Sequence, residues 1–325
     1  MDFIKELSGR LSGSDMRIVF PEGEDPRVLW AAVEHEKEGL IHPVVIGNRS
    51  EIEAAAKEEG LDISKLDIVE VGNYEHFDEL VEKFVERRKG KVDEEGARKQ
   101  LENPNYLGTM MVYAGYADGM VSGAAHTTGE TVLPALQIIK TKPGISRVSG
   151  LFVLLRDDER YLFADCAINT EMDAKTMSEV AASTHETGKQ FGFDPKVAML
   201  SFSTKGSAKS DTVKMVEEAT NMVKEARPEI KVDGELQFDA AIDPTVAKKK
   251  APGSPVAGQA NAFIFPNLEC GNVGYKIAQR LGGFTAIGPV LQGLNMPVND
   301  LSRGCSKEEV YQLAVITAVQ ACLGK

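Results

Sequence analysis

Gly150-Leu-Phe-Val-Leu-Leu155, Arg156-Asp-Asp-Glu-Arg160 and Tyr161-Leu-Phe-Ala164 form two apolar runs around a polar turn, and their reading decides the architecture. The pattern predicts an antiparallel hairpin. Elsewhere, strand-like and helix-like stretches alternate. Arg17-Ile-Val-Phe20 reads as a short strand, followed by the turn Pro21-Glu-Gly-Glu-Asp25 and a helix over 27–36. That helix carries Val28, Leu29, Ala32 and Val33 at helical spacing. Pro43-Val-Val-Ile-Gly47 is another strand, with a helix over 50–59 behind it. The rhythm returns at 119–122, 196–200, 262–265 and 285–288, which predicts an α/β fold with largely parallel sheets. A hairpin set into such a chain predicts a second domain. The expected division is 1–145 plus 300–325 for a first α/β domain and 146–299 for a second. The last helix, 308–323, is apolar on nearly every side (Val310, Leu313, Ala314, Val315, Ile316, Ala318, Val319), so it is expected buried against the first domain.

Composition narrows the function. A chain of 325 residues suits roughly two domains. With 42% hydrophobic and 26% charged residues it is a folded protein rather than a disordered one. Lys plus Arg number 37 against 49 Asp plus Glu, a net charge of -12. Such a chain is ill suited to gripping nucleic acid or an anionic membrane, and it can hold small anions only through a local basic pocket. Cys166, Cys270, Cys305 and Cys322 are scattered, without a CxxC pair or a His at metal spacing, so reduced thiols and no metal site are expected. Met1-Asp-Phe-Ile-Lys-Glu-Leu-Ser8 has no apolar signal core, and no apolar run nears the ~18 residues of a membrane span. The expected location is cytoplasmic.

Familiar signatures are missing: there is no GxGxxG after a strand, no GxxxxGK[ST], no GxSxG and no HExxH. The five histidines (His35, His42, His76, His126, His185) are dispersed, and only His126 lies among small and hydroxylic residues.

Four segments look chemical. In Ala117-Asp-Gly-Met-Val-Ser-Gly-Ala-Ala-His-Thr-Thr-Gly-Glu-Thr131, a strand ends at Ser122 and a helix begins near Thr127, with Thr127 and Glu130 at capping-box spacing. Small residues let a ligand approach the backbone, and amides at a helix start favour an anion. The plain alternative is a well-capped helix after a tight turn. In Asn299-Asp-Leu-Ser-Arg-Gly-Cys-Ser-Lys-Glu-Glu309, Ser302 and Arg303 occupy a turn where a guanidinium suits a phosphate or an oxyanion. Ser306 and Glu309 again have capping-box spacing, so a capping role for Glu309 competes with a catalytic one. Glu86-Arg-Arg-Lys-Gly-Lys91 is a basic cluster, either a solvated helix end or a polyphosphate contact. Asn267-Leu-Glu-Cys-Gly-Asn-Val-Gly-Tyr-Lys276 is a strand-to-helix turn that serves either as a binding edge or as structure.

Together these segments resemble the phosphate acetyltransferase family along essentially the whole chain. The resemblance is carried by Phe20-Pro-Glu-Gly-Glu-Asp25, Ala117-Asp-Gly-Met-Val-Ser-Gly123, Pro134-Ala-Leu-Gln-Ile-Ile-Lys-Thr141 and Ala164-Asp-Cys-Ala-Ile-Asn169. Met199-Leu-Ser-Phe-Ser-Thr-Lys-Gly206, Asp233-Gly-Glu-Leu-Gln-Phe-Asp239, Ala251-Pro-Gly-Ser-Pro-Val-Ala-Gly258, Asn272-Val-Gly-Tyr-Lys276 and Asn299-Asp-Leu-Ser-Arg-Gly304 continue it in order.

The resemblance implies reversible acetyl transfer between coenzyme A (CoA) and inorganic phosphate in a ternary complex, with no covalent acyl-enzyme and no tightly bound cofactor. It implies two three-layer α/β domains of the isocitrate/isopropylmalate dehydrogenase-like type, a cleft between them, and a homodimer formed through the second domain. By position, Ser302 and Arg303 match the family's active-site pair, with Arg303 on the carbonyl oxygen of acetyl phosphate. Arg88 matches the basic residue that engages CoA, with Arg87 beside it. Thr127 and Thr128 fall where the phosphoryl group binds, and Ser122, Asn272 and Tyr275 complete the substrate-binding set. Glu309 stands where the family usually has an Asp serving as base for the thiol, and Leu133 where it commonly has an Arg. A covalent route through Cys305 or Cys166 is the rival within the enzyme class. A phosphate butyryltransferase-like activity and a catalytically impaired CoA-binding regulator are the rival functions.

Overall fold

The structure is a computed structural model, described over residues 3–324. Among those residues the strands are β1 (Arg17–Phe20), β2 (His42–Ile46), β3 (Asp67–Val69), β4 (Gly119–Ser122), β5 (Ser149–Arg156), β6 (Glu159–Ala164), β7 (Val197–Leu200), β8 (Val232–Leu236), β9 (Ala262–Ile264), β10 (Thr285–Gln292) and β11 (Val298–Asp300). The chain divides into two compact units. One holds the chain up to Lys142 and again from Leu294; the other is Pro143–Gly293.

In the first unit the sheet order is β11-β4-β1-β2-β3, and every neighbouring pair is parallel. Parallel strands are covered on both faces, so they read as unbroken apolar runs. Ile18, Val19, Phe20, Val44, Val45, Ile46 and Met120 are all fully buried. The helix Pro26–Glu38 starts where the Asp25 side chain accepts from the Arg27 amide at 2.9 Å, with Pro26 already at a helical φ. It stops at Gly39, whose φ of +61° closes the last turn.

The chain re-enters this unit earlier than residue 300, because β11 pairs with β4 in the register Val298↔Met120, Asn299↔Val121 and Asp300↔Ser122. Just before it, the Asn295 amide donates to the carbonyls of Ile139, Lys140 and Thr141. The last helix, Lys307–Leu323, buries Val310, Leu313, Val315, Ile316 and Val319 against Pro26–Glu38, Phe3–Arg10 and β4. Each such side chain contributes roughly 1.5–3 kcal/mol. His35 is sealed in this packing with its Nε2 on the Tyr311 carbonyl, and burial lowers its pKa to about 3.

In the second unit the order is β10-β5-β6-β9-β7-β8. The hairpin is β5–β6, paired Phe152↔Phe163 through Arg156↔Glu159. Its turn is tighter than the sequence suggests, with Asp157 at φ +52° and the Arg156 guanidinium on Glu159 at 2.7 Å. From β6 onward the strands are parallel. One expectation is corrected here. The 285–288 stretch belongs to a longer strand running antiparallel to β5, with a register break between Ile287 and Val290. Pro289 has no N–H for the ladder and sits at that break. Phe163 anchors the core, its ring centroid 5.4 Å from Phe263 and 5.2 Å from Phe265. No helix among the described residues is long and apolar enough to cross a membrane.

Candidate active site

The sheet order places β11, β4 and β1 side by side in the first unit, so the loops leaving their carboxyl ends are neighbours. Into this edge the chain sends a buried carboxylate. Glu22 Oε2 accepts from the amides of Gly123 (3.0 Å) and Ala124 (2.9 Å). Its Oε1 accepts from the amides of Ala125 and His126 (both 2.9 Å) and from His126 Nδ1 at 2.7 Å. Burial works against ionisation of Glu22, but the His126 bond and the backbone amides outweigh it and hold the carboxyl below its ordinary value. The same bond to Glu22 raises the pKa of His126. Gly123, at φ +111°, is required: a Cβ there would lie 2.5 Å from Asp300 Oδ1.

This arrangement corrects the reading of the small-residue loop as a place where a ligand meets free backbone. Its amides are already filled by the chain's own carboxylate. The capping box behind it forms as expected: Thr127 Oγ1 accepts from the Glu130 amide (3.3 Å) and Glu130 Oε2 from the Thr127 amide (2.8 Å). The amides without a partner among the described residues at this helix start, Thr128–Ile138, are those of Thr128 and Gly129.

Arg27 joins the loops. It holds Asp25 through Nε (3.0 Å) and Nη2 (2.7 Å), and donates from Nη2 to the Ala124 carbonyl at 2.8 Å. From Nη1 it donates to the carbonyls of Arg303 (2.8 Å) and Cys305 (3.0 Å). A second tie runs from the Thr128 hydroxyl to Asp300 Oδ2 at 2.7 Å. Burial pushes the Asp300 carboxyl up to about 6.

Ser302 and Arg303 are exposed in the turn that Arg27 holds. The Ser302 hydroxyl accepts from the Gly304 amide at 3.3 Å. The Arg303 guanidinium has no partner among the described residues; its charge helps the Thr127 amide and hydroxyl hold the Glu130 carboxyl low. Glu309 is half-buried at the start of the last helix and completes the second capping box, its Oε2 accepting from the Ser306 amide at 2.7 Å. The capping role is therefore real, and it engages one of the two carboxylate oxygens. Burial first, and then charges including that of Glu309, push the Cys305 thiol up to about 11 against the pull of Arg27. Cys166 is buried, and burial raises its thiol well above the ordinary value. Neither thiol is set up as a nucleophile.

The structure thus brings Thr127, Thr128, Ser302, Arg303 and Glu309 to one edge of one unit. Of the other expected residues, one is turned inward, one belongs to the helix Phe77–Arg88 and two belong to the second unit. Ser122 is fully buried and donates to Asn105 Oδ1 at 2.7 Å, so its hydroxyl is not presented to solvent. Arg87 is consumed, donating to the carbonyls of Ile138 (2.6 Å) and Ile139 (3.2 Å), whereas Arg88 has a buried Nε without a partner among the described residues. Lys140 joins this basic group: Arg87 first, then burial and the charges of Lys89, Lys91 and Arg88, lower its pKa. Asn272 and Tyr275 lie in the second unit, on the helix Leu268–Arg280. Asn272 donates to the Cys166 carbonyl (3.1 Å), and Tyr275 stacks on Phe152 with centroids 3.9 Å apart. The turn before them is closed by Asn267, which accepts from the Cys270 amide. Leu133 is 49% exposed and brings no charge to the helix it stands on.

Sequence reasoning assigned no role to Glu22, Arg27 or Asp300. Glu22 lies just after β1 and Asp300 at the end of β11, and that position is the signal that was available; Arg27 stands in the first turn of the helix Pro26–Glu38.

The phosphate acetyl/butaryl transferase family model matches residues 2–318. A phosphate acetyltransferase of Staphylococcus epidermidis is 57% identical, covering 98% of this chain and 99% of the relative. A solved phosphotransacetylase from Staphylococcus aureus superposes with a TM-score of 0.94 at 56% identity, covering 98% of each chain. One from Streptococcus pyogenes gives 0.95 at 55% identity with the same coverage. A family match over nearly every residue, joined to the site at the ends of β1, β4 and β11, leads to one conclusion: the chain belongs to the phosphate acetyl/butaryl transferase family and is an acyltransferase.

Proposed function

We propose that this acyltransferase moves an acetyl group reversibly between CoA and inorganic phosphate, with Arg303, Ser302, Glu309 and the Thr127–Thr128 helix start as its working parts. The observation that carries the reading is the unpartnered Arg303 guanidinium on a turn that Arg27 ties to the loop before Thr127. Glu309 takes the proton of the CoA thiol through its open oxygen. The thiolate attacks the carbonyl carbon of acetyl phosphate, a C–S bond forms, and the carbonyl oxygen becomes an oxyanion facing Arg303. As the carbonyl re-forms, the C–O bond to phosphorus breaks and the phosphate leaves with the electron pair, over the amides of Thr128 and Gly129. A free thiol and a free carboxylic acid differ by ~4 pKa units, or ~5.7 kcal/mol, so the guanidinium and the helix start must favour the thiolate. Arg88 and its basic neighbours offer charge for the phosphates of CoA. The thiols of Cys305 and Cys166 stay protonated, which supports direct transfer without an acyl-enzyme.

The chain works as a homodimer in the cytoplasm, without a resident cofactor. Support for the dimer comes from the second unit, where Val273, Ile277 and Leu281 form an apolar stripe at four-residue spacing, exposed by 55%, 53% and 85%. The deciding experiment measures acetyl-CoA formation from acetyl phosphate and CoA, with propionyl and butyryl phosphate alongside. A higher kcat/KM for butyryl phosphate would move the chain to the butyryl branch. CoA binding with no thioester formed would leave a regulator.

A further inference from the structure

The transfer just described has a base for the thiol but no acid for the phosphate. Acetyl phosphate carries two negative charges near neutrality, so breaking its C–O bond expels phosphate as a trianion, a far stronger base than a thiolate. Unless a proton arrives as that bond breaks, the tetrahedral intermediate returns its thiolate instead. The acid must stand beside the Thr127–Thr128 start and hold a proton it can release.

We propose that His126 is this general acid: its Nε2–H protonates the leaving phosphate in acetyl-CoA formation, and neutral Nε2 removes the proton from attacking phosphate in the reverse direction. The proposal rests on the placement of phosphate at the adjacent helix start. His126 is the residue before the N-cap Thr127. Its Nδ1 is 2.7 Å from Glu22 Oε1, and the same oxygen accepts its backbone amide at 2.9 Å, so ring and loop are fixed together. The side chain is 26% exposed, and Nε2 has no partner among the described residues. The geometry is that of a base held by a buried carboxylate with its second nitrogen open.

The charges around it favour the protonated ring. Glu22 acts first, and Glu130 and Glu24 add to it, against a cost from burial. Arg303, Arg27 and Asp300 also face this edge: Arg303 acts on Glu130, Arg27 grips the Ala124 carbonyl, and Asp300 feels Glu22. No other residue in the first turn of the following helix offers a proton, since its one ionisable group is the carboxylate of Glu130. The step balances: the C–O electron pair leaves on phosphate, which takes the Nε2 proton. The ring keeps Nδ1–H on Glu22, Glu309 holds the thiol proton, and solvent restores both groups.

The test is His126→Gln, which keeps a polar side chain but cannot transfer a proton. Two acyl donors are compared, acetyl phosphate and acetyl methyl phosphate, whose methyl phosphate leaving group departs without needing a proton. The expected result is a kcat loss of about 100-fold on acetyl phosphate. On acetyl methyl phosphate the loss stays within about fivefold, and the KM for CoA is little changed. The alkaline fall in kcat/KM for acetyl phosphate, which follows loss of the imidazolium proton, also disappears from the variant. Equal losses on both donors, or turnover within a few-fold on acetyl phosphate, overturn the proposal. So does an alkaline limb that survives unchanged. Should the variant not fold, the imidazole titration of His126 followed by NMR in the unaltered protein must coincide with that limb, and a mismatch is equally fatal. An unaltered protein that makes no acetyl-CoA at all overturns the functional reading instead.

Discussion

Two helices of the first unit begin with the same four-residue device, and what surrounds each start differs. Thr127 and Glu130 open one; Ser306 and Glu309 open the other; both capping boxes form with reciprocal bonds. Around the first, buried carboxylates do the fixing: Glu22 fills the preceding loop and Asp300 takes the Thr128 hydroxyl. Around the second, the fixing comes from Arg27, which grips the carbonyls of Arg303 and Cys305 and reaches the Cys305 sulfur at 3.7 Å, leaving the side chains of Ser302 and Arg303 exposed. Glu130 accepts from both the amide and the hydroxyl of Thr127 with one oxygen, whereas Glu309 meets only the Ser306 amide. Four residues therefore specify a cap. Whether the capping carboxylate has other work depends on neighbours that arrive from distant strands.

The largest expected contrast separates the two glutamates. Glu309→Gln should lower kcat by about 10²–10⁴, the usual worth of a positioned base, with much smaller changes in both KM values. Steady-state kinetics in both directions check this, and a kcat within a few-fold removes Glu309 from the mechanism. Next comes the buried carboxylate at the first start. Glu22→Gln puts an amide NH₂ against two backbone donors and strips the charge opposite His126. A loss of roughly 3 kcal/mol is expected, in the range for breaking a buried ion pair. Denaturant melts read it directly. If stability drops by less than about 1 kcal/mol, the loop holds itself and the comparison loses its basis.

A pH effect of intermediate size sharpens the same contrast. The Asp300 carboxyl is raised from 3.8 to about 6 by burial, so between those values the folded state holds a proton that the unfolded chain has lost. By linkage, its contribution falls as pH rises through that window and is fully lost above about 6. The loss amounts to roughly 2–3 kcal/mol. Glu22, lowered instead, contributes stability that disappears as pH falls. Comparing Asp300→Asn with the unaltered protein by melts from pH 4 to 7 isolates the first term. The difference should grow in favour of the variant as pH rises, and a constant difference would show that Asp300 does not titrate there.

These opposed carboxylates also mark how far the sequence could be read. Short apolar strands, helix caps and the hairpin were legible because each depends on neighbours in the chain, such as a Thr three residues before a Glu. Arg303 and Glu309 were legible as candidates through the family resemblance carried by their turn. The partners of Glu22 are a hundred residues away along the chain, and nothing local in Pro-Glu-Gly says that four amides and a ring will converge on it. The antiparallel course of β10 was illegible for the same reason, since a short apolar run does not specify its pairing partner. Ser122 shows the converse error: its motif was right, but a hydroxyl at a strand end can turn inward, as this one does to Asn105.

The smallest prediction is the control that gives the first its meaning. Glu130→Gln keeps an acceptor for the Thr127 amide and removes only a charge at a helix start, so only a small loss of stability should follow, read by denaturant melts. Turnover should stay within a few-fold, because the mechanism asks nothing of Glu130 beyond the cap it forms with one oxygen, and Arg303 acts on it only through charge. Removing its charge also relaxes one hold on the imidazolium of His126, so the alkaline limb of the rate profile should move slightly downward in pH without losing height. A kcat loss matching that of Glu309→Gln would mean that any carboxylate capping these two helices serves the reaction. In that case it is the cap itself, rather than the second oxygen of Glu309, that the transfer needs.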